Sequence, residues 1–188
     1  MTHTPEPTDA EIGDIASRIA RPVVLVGLMG TGKSTIGRRL ASLFGQDFVD
    51  ADEEIEAAAQ LSINEIFAQF GESYFRDGER RVIARLMEDG TGVIATGGGA
   101  FVNAETRALI LRDGIAVWLD CDIDTLVERT SRRSTRPLLK DGDPAEILTR
   151  LDRERRPAYS QAPIRIQTDE GPHHQTVMRI VEALRQWL

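Results

Sequence analysis

Five short stretches of the chain are apolar and β-branched with little alternation: Val23–Val26, Asp47–Val49, Gly92–Ala95, Ile115–Leu119 and Ile164–Gln167. Runs of this kind predict strands buried on both faces. Between them the apolar residues recur at helical spacing. Lys33–Phe44 carries Ile36, Leu40 and Leu43, and Asp122–Thr130 carries Ile123, Leu126 and Val127. Ala104–Leu111 follows Asn103, a residue suited to capping a helix, and a closing helix over 175–187 presents Val177, Ile180, Val181 and Leu184. In "DPAEILTRL", Asp143 caps, Pro144 enters the first turn and Glu146 stands three residues after the cap. Strand–helix alternation of this type predicts an α/β fold, a parallel sheet covered by helices on both faces.

One connection is too long for a simple crossover. About forty residues separate the second and third strands. They hold "DEEIEAAAQ", then "SINEIFAQF" with Ser62 and Glu65 as a capping box, then Tyr74–Met87. This reads as a helical insertion beside the sheet edge. Residues 1–21 read as an extension, a Thr- and Pro-rich start followed by one short helix with Ile12, Ile15 and Ile19 at helical spacing.

Composition narrows the classes. The chain has 188 residues, 41% apolar and 28% charged, enough for one compact domain. No apolar run reaches the roughly 20 residues of a membrane helix, and the acidic N-terminus has no basic-then-apolar signal. A single cysteine, Cys121, excludes an intrachain disulfide and points to a cytoplasmic setting. A net charge of −7 argues against a nucleic-acid or anionic-membrane binder. Two arginine clusters, Arg129/Arg132/Arg133/Arg136 and Arg150/Arg153/Arg155/Arg156, read either as solvated faces or as partners for a small anion.

The strongest chemical signal follows the first strand. "GLMGTGKST", Gly27–Thr35, fits G-x-x-x-x-G-K-[ST] with a strand before and a helix after. The glycines let successive backbone N–H groups turn toward phosphate oxygens, and the helix adds its unsatisfied donors and dipole. Gly30, Thr31, Gly32, Lys33, Ser34 and Thr35 are the expected nucleotide contacts, with Lys33 on the β- and γ-phosphates and Ser34 on Mg²⁺. The second strand ends in "FVDADEEI". If it runs to Asp52, Asp50 and Asp52 project from one side at its C-terminal end; the other reading makes Asp52 the cap of the next helix. After the third strand come Gly97, Gly98 and Gly99, more glycine than a tight turn requires, which implies close backbone approach to a ligand.

In order, "GLMGTGKSTIGRRLA", "FVDAD", "ESYFRDGE", "GGGAF", "TRPLL" and "RRPAY" resemble the shikimate kinase family from about Val23 to the final helix. The resemblance implies a three-layer α/β/α P-loop kinase: a five-stranded parallel sheet in the order 2-3-1-4-5, a substrate-binding insertion at about 52–89 and a mobile lid at about 131–143. It implies transfer of the ATP γ-phosphoryl to the 3-hydroxyl of shikimate, with Mg²⁺. By motif, Asp52 holds the accepting hydroxyl, as base or as hydrogen-bond acceptor only, and Asp50 acts on the metal side through water. Arg76 clamps the substrate carboxylate with Glu79 orienting it. Gly97, Gly98 and Gly99 offer N–H groups to the ring hydroxyls, and Arg155 is a second substrate arginine. Arg136 is the lid arginine, Arg129 stacks on adenine, and Thr168–His173 lines the adenine pocket through Pro172 or His173.

Three features match the family loosely: "DEGPHH", Ala158 where a larger apolar residue is usual, and Arg156 adjacent to Arg155. The partners expected are ATP and shikimate, with no nucleic acid and no membrane, for a monomer. The rival readings are a gluconate kinase, disfavoured by the set Asp52, Arg76, triple glycine and Arg155, and a nucleotide-dependent regulator, which would need no acceptor arginines.

Overall fold

A computed structural model describes residues 6–90, 92–131, 142–169 and 171–188. Arg136 and most of the expected lid fall outside the described residues. Strands β1 (Val23–Val26), β2 (Phe48–Asp50), β3 (Val93–Ala95), β4 (Ile115–Cys121) and β5 (Ile164–Thr168) form one sheet in the order β2-β3-β1-β4-β5. Every pairing is parallel. Order and sense are those expected.

β1 sits at the centre and is buried throughout. Its side chains alternate between the two faces, as strand geometry requires. Val23 and Leu25 enter a core built with α1 (Asp9–Arg18), α2 (Lys33–Phe44) and α8 (His173–Trp187). Val24 and Val26 enter a second core, with α5 (Ala104–Asp113), α6 (Ile123–Ser131) and α7 (Pro144–Tyr159). The molecule is thus helix, sheet, helix. Among the described residues no helix is long and apolar enough to cross a membrane.

The insertion consists of α3 (Ala51–Ala59) and α4 (Ile63–Glu88). The three pieces read from the sequence become two helices, because α4 continues through a kink at Gly71, whose φ of 82° and ψ of 174° break the helical path. Ser62 and Glu65 form the expected capping box. Ile55, Ile66 and Phe75 make a small core joining α3 to α4.

Several boundaries differ from expectation. β2 stops at Asp50, and helix begins at Ala51, so Asp52 lies in the first turn of α3, neither in the strand nor at the cap. Asp50 is the cap: its carboxylate accepts a hydrogen bond from the Asp52 N–H at 3.0 Å. β5 alternates, with Arg165 and Gln167 exposed, because it is an edge strand covered on one face. Helix α1 lies in the segment read as an extension, and its Ile12 and Ile15 are buried in the first core.

Candidate functional site

Register brings the site together. Asp50 pairs with Ala95, and Ala95 pairs with Leu25, so β2, β3 and β1 end at one level. Their C-terminal continuations are α3, the triple-glycine turn and the phosphate loop. In a parallel sheet this edge is where ligands bind.

The phosphate loop curls through Gly30 and Gly32, with φ of 84° and 89°, and Gly32 caps α2 without a side chain. The first-turn N–H groups of α2 are therefore not capped by a Gly32 side chain, an arrangement suited to phosphate oxygens. Lys33 is only 9% exposed, and its ammonium donates to the carbonyls of Gly27 and Leu28 at 2.8 Å each. The Thr31 hydroxyl donates to the Leu28 carbonyl at 2.9 Å and closes the same turn.

Ser34 and Asp50 meet across this loop. The Ser34 hydroxyl donates to Asp50 Oδ2 at 2.5 Å while Oδ1 caps α3. One carboxylate thus ties the phosphate-loop helix to the insertion.

Asp52 faces the triple glycine. Its Oδ1 is buried and has no hydrogen-bond partner among the described residues. Burial, and next the charge of Asp50, push its pKa up to about 6, against the opposing pull of Lys33 and Arg76. Glu79 is 1% exposed and accepts from Arg76 Nη1 at 2.7 Å. Burial raises its pKa, and the Arg76 charge works against that rise. Arg76 also stands 5.1 Å above the Phe75 ring.

The need for three glycines becomes concrete here. A Cβ on Gly97 would lie 2.7 Å from Asp52 Oδ1, one on Gly98 3.1 Å from Arg155 Nη1, and one on Gly99 2.4 Å from Arg76 Nη2. Each glycine leaves room for one charged side chain. The expectation of close approach by a ligand is thereby extended: the turn is stripped of side chains so that an aspartate and two arginines can converge on it.

Arg155 and Arg156 separate cleanly. Arg156 turns away, with a fork to Asp120 at 3.0 and 3.2 Å and another to Asp152 at 3.0 and 3.1 Å. Arg165 joins the same buried Asp120, and both guanidinium groups cover Trp118. Arg155 instead lies against Gly98 and the Tyr159 hydroxyl. The sequence reading assigned nothing to Asp120 or to Tyr159; the usable signal for Tyr159 was its spacing of four from Arg155, which puts both on one helix face.

At the other side of the phosphate loop, Arg129 Nη2 donates to the Asp169 carbonyl at 2.5 Å. His173 Cε1 would lie 3.6 Å from a Cβ on Gly32. Burial, then the charges of Arg129 and Arg39, lower the His173 pKa. Arg129, Asp169 and His173 are thus together beside the loop, while Arg136 lies outside the described residues.

Comparisons with known proteins bear on the family and the fold. The shikimate kinase family model matches residues 29–185. The chain is similar to a shikimate kinase from Novosphingobium aromaticivorans, 60% identical over 96% of each chain. It superimposes on the shikimate kinase from Acinetobacter baumannii in complex with shikimate with a TM-score of 0.85, at 36% identity, covering 88% of this chain and 93% of the other. A gluconokinase from Sinorhizobium meliloti, covering 90% and 94%, reaches a TM-score of 0.57 at 17% identity, which is a likeness of fold alone. Identity that runs nearly end to end cannot come from a shared phosphate loop, and the chain belongs to the shikimate kinase family.

Proposed function

We propose that this chain transfers the γ-phosphoryl group of ATP to the 3-hydroxyl of shikimate, giving shikimate 3-phosphate and ADP. The observation that carries the reading is the Asp52 carboxylate, with a buried Oδ1 unpartnered among the described residues, close to Lys33, Arg76 and the triple glycine. A hydroxyl placed there has an acceptor, while the nearby guanidinium groups of Arg76 and Arg155 suit the carboxylate of the same small ring.

In this mechanism the phosphate loop and Lys33 hold the β- and γ-phosphates, and Thr31, Thr35, Gly30 and Gly32 shape the cradle. Ser34 and Asp50 are the residues that would hold Mg²⁺, Asp50 through water. Their paired oxygens are the hard donors that ion takes, and no cluster of three or more His, Cys, Asp or Glu among the described residues offers an all-protein cage. Mg²⁺ usually sits in this way, on one or two protein oxygens plus phosphates and water. When bound, the ion supplies neutralising charge to the phosphates. Arg76, braced by Glu79, and Arg155 clamp the shikimate carboxylate. Gly97–Gly99 address the ring hydroxyls.

Asp52 then accepts the hydrogen bond of the attacking hydroxyl and takes its proton as the oxygen–phosphorus bond forms. A pKa near 6 keeps most of this carboxylate ionised at neutral pH and makes it a better proton acceptor than an ordinary aspartate. Arg129 covers the adenine, and Arg136 on the lid at about 131–143 neutralises charge on the moving phosphoryl group. The insertion at about 52–89 is the shikimate-binding part, residues 22–188 form the kinase domain, and the enzyme works as a cytoplasmic monomer.

The test is ADP release from Mg²⁺-ATP with shikimate, gluconate or no acceptor. Release that depends on shikimate is expected. Equal release in all three arms, or release with gluconate only, would overturn the reading.

A further inference from the structure

Tyr159 ends α7 one turn beyond Arg155 and is fully buried. Its ring packs 6.0 Å from that of Trp118. Its hydroxyl donates to the carbonyl of Gly98, sixty-one residues earlier in the chain. The Tyr159 hydrogen is given to Gly98, which leaves the oxygen free to accept from the Arg155 guanidinium beside it, a group that can only donate. A Cβ on Gly98 would come within 3.1 Å of Arg155 Nη1, so the three groups form one contact.

Two consequences follow from elementary geometry. The Gly98–Gly99 peptide is trans, so its N–H points opposite to its C=O. A carbonyl anchored on Tyr159 fixes the direction of the Gly99 N–H, away from the tyrosine. Second, Arg155 has a long, rotamer-rich side chain, and close packing against the Gly98 turn reduces the freedom it must lose when it meets a ligand.

We propose that Tyr159 is a positioning residue for shikimate: its hydroxyl sets the orientation of the Gly98–Gly99 peptide and of the Arg155 guanidinium together, so that both meet the substrate already aligned. This rests on the reading of Arg155 and the glycine turn as shikimate contacts. Gly98 packs beside the phosphate-loop backbone at Gly27 and Met29, but the Tyr159 hydroxyl bonds to Gly98 and not to the loop, so the larger effect is expected on shikimate. Burial also pushes the Tyr159 hydroxyl up to about 12, which keeps it a donor across the working pH range.

Tyr159→Phe removes the bridge and keeps the ring. Steady-state kinetics, melting temperature and calorimetric shikimate binding are measured for Tyr159→Phe, Arg155→Ala and the double variant. Tyr159→Phe is expected to raise the shikimate KM and Kd about tenfold, with the ATP KM changed less than about twofold. In the Arg155→Ala background the same change is expected to add less than about twofold, the non-additivity of groups acting as a unit. A shikimate KM unchanged in Tyr159→Phe but raised in Arg155→Ala overturns the positioning role alone. So do equal rises in both KM values, or full additivity, since these mark a merely structural role. A shikimate KM unchanged in Arg155→Ala overturns the reading of Arg155 itself, and the inference with it. If Tyr159→Phe does not fold, 3-fluorotyrosine at 159 keeps the shape and alters the hydroxyl. A shift of shikimate KM beyond about twofold at constant ATP KM then supports the role, and no shift overturns it.

Discussion

A carboxylate held near pKa 6 instead of the ordinary 3.8 binds its proton more tightly folded than unfolded. Below about pH 4 Asp52 is neutral in both states and costs nothing. As pH rises through 6 the folded chain must carry a desolvated charge, so stability falls across that window. Asp52→Asn is expected to raise stability at pH 7 by on the order of 1–3 kcal/mol, read from urea midpoints, and to flatten the pH dependence between about 4 and 6. The same substitution is expected to lower kcat by about 10²–10⁴. The wild-type kcat/KM profile should show an acid limb with a midpoint near 6, absent from the Asn variant. The arginines divide differently. Arg76→Ala should raise the shikimate KM about a hundredfold, since it removes a partner already fixed by Glu79 at 2.7 Å. Arg136→Ala should lower kcat by about 10³ with little change in shikimate binding. Equal losses in binding and turnover for both variants would refute the division.

Elements add constraints that single residues do not reveal. The glycine turn after β3 accommodates Asp52, Arg155 and Arg76 from three different helices. Gly99→Ala would drive a Cβ to within 2.6 Å of the Arg76 guanidinium, the far end of a flexible side chain. The fold should survive and the clamp should not. The expected result is a shikimate KM raised at least about tenfold, with a melting temperature within about 4 °C of wild type. A variant that melts far lower with an unchanged shikimate KM would show the turn to be structural. The capping of α3 belongs to this scale too. Local pattern offered Asp52 as cap, and Asp50 won because the strand ends two residues earlier, in register with Ala95. The kink at Gly71 was equally hidden, since apolar spacing on either side of it is helical.

Across the whole molecule, the two cores share the sheet and are filled from opposite sides. Helix α1 belongs to the first, with Ile12 and Ile15 at 5% and 1% exposure. The period of Ile12, Ile15 and Ile19 was visible in the chain, but which surface would receive it was not. Ile15→Ala should cost about 2–5 kcal/mol of unfolding free energy by denaturant titration. Both KM values should stay within about twofold of wild type, because among the described residues the ion pair of α1 with α8 runs to Arg185, near the end of α8 remote from His173. A kinetic defect without a loss of stability would contradict this division between core and site.

The sequence by itself determined the alternation of strands and helices, the phosphate loop, the capping box of Ser62 and Glu65 and, through six motifs in order, the family. These signals are local: each is written within a few residues, where spacing alone fixes which side chains share a face. Tertiary structure alone decided which aspartate caps α3, which of two adjacent arginines enters the site, and why three glycines stand together. The reason is distance along the chain. Ser34 meets Asp50 across sixteen residues, Asp120 meets Arg156 across thirty-six, and Tyr159 meets Gly98 across sixty-one. Contacts of that range depend on strand register and helix packing, and no periodicity along the chain encodes them.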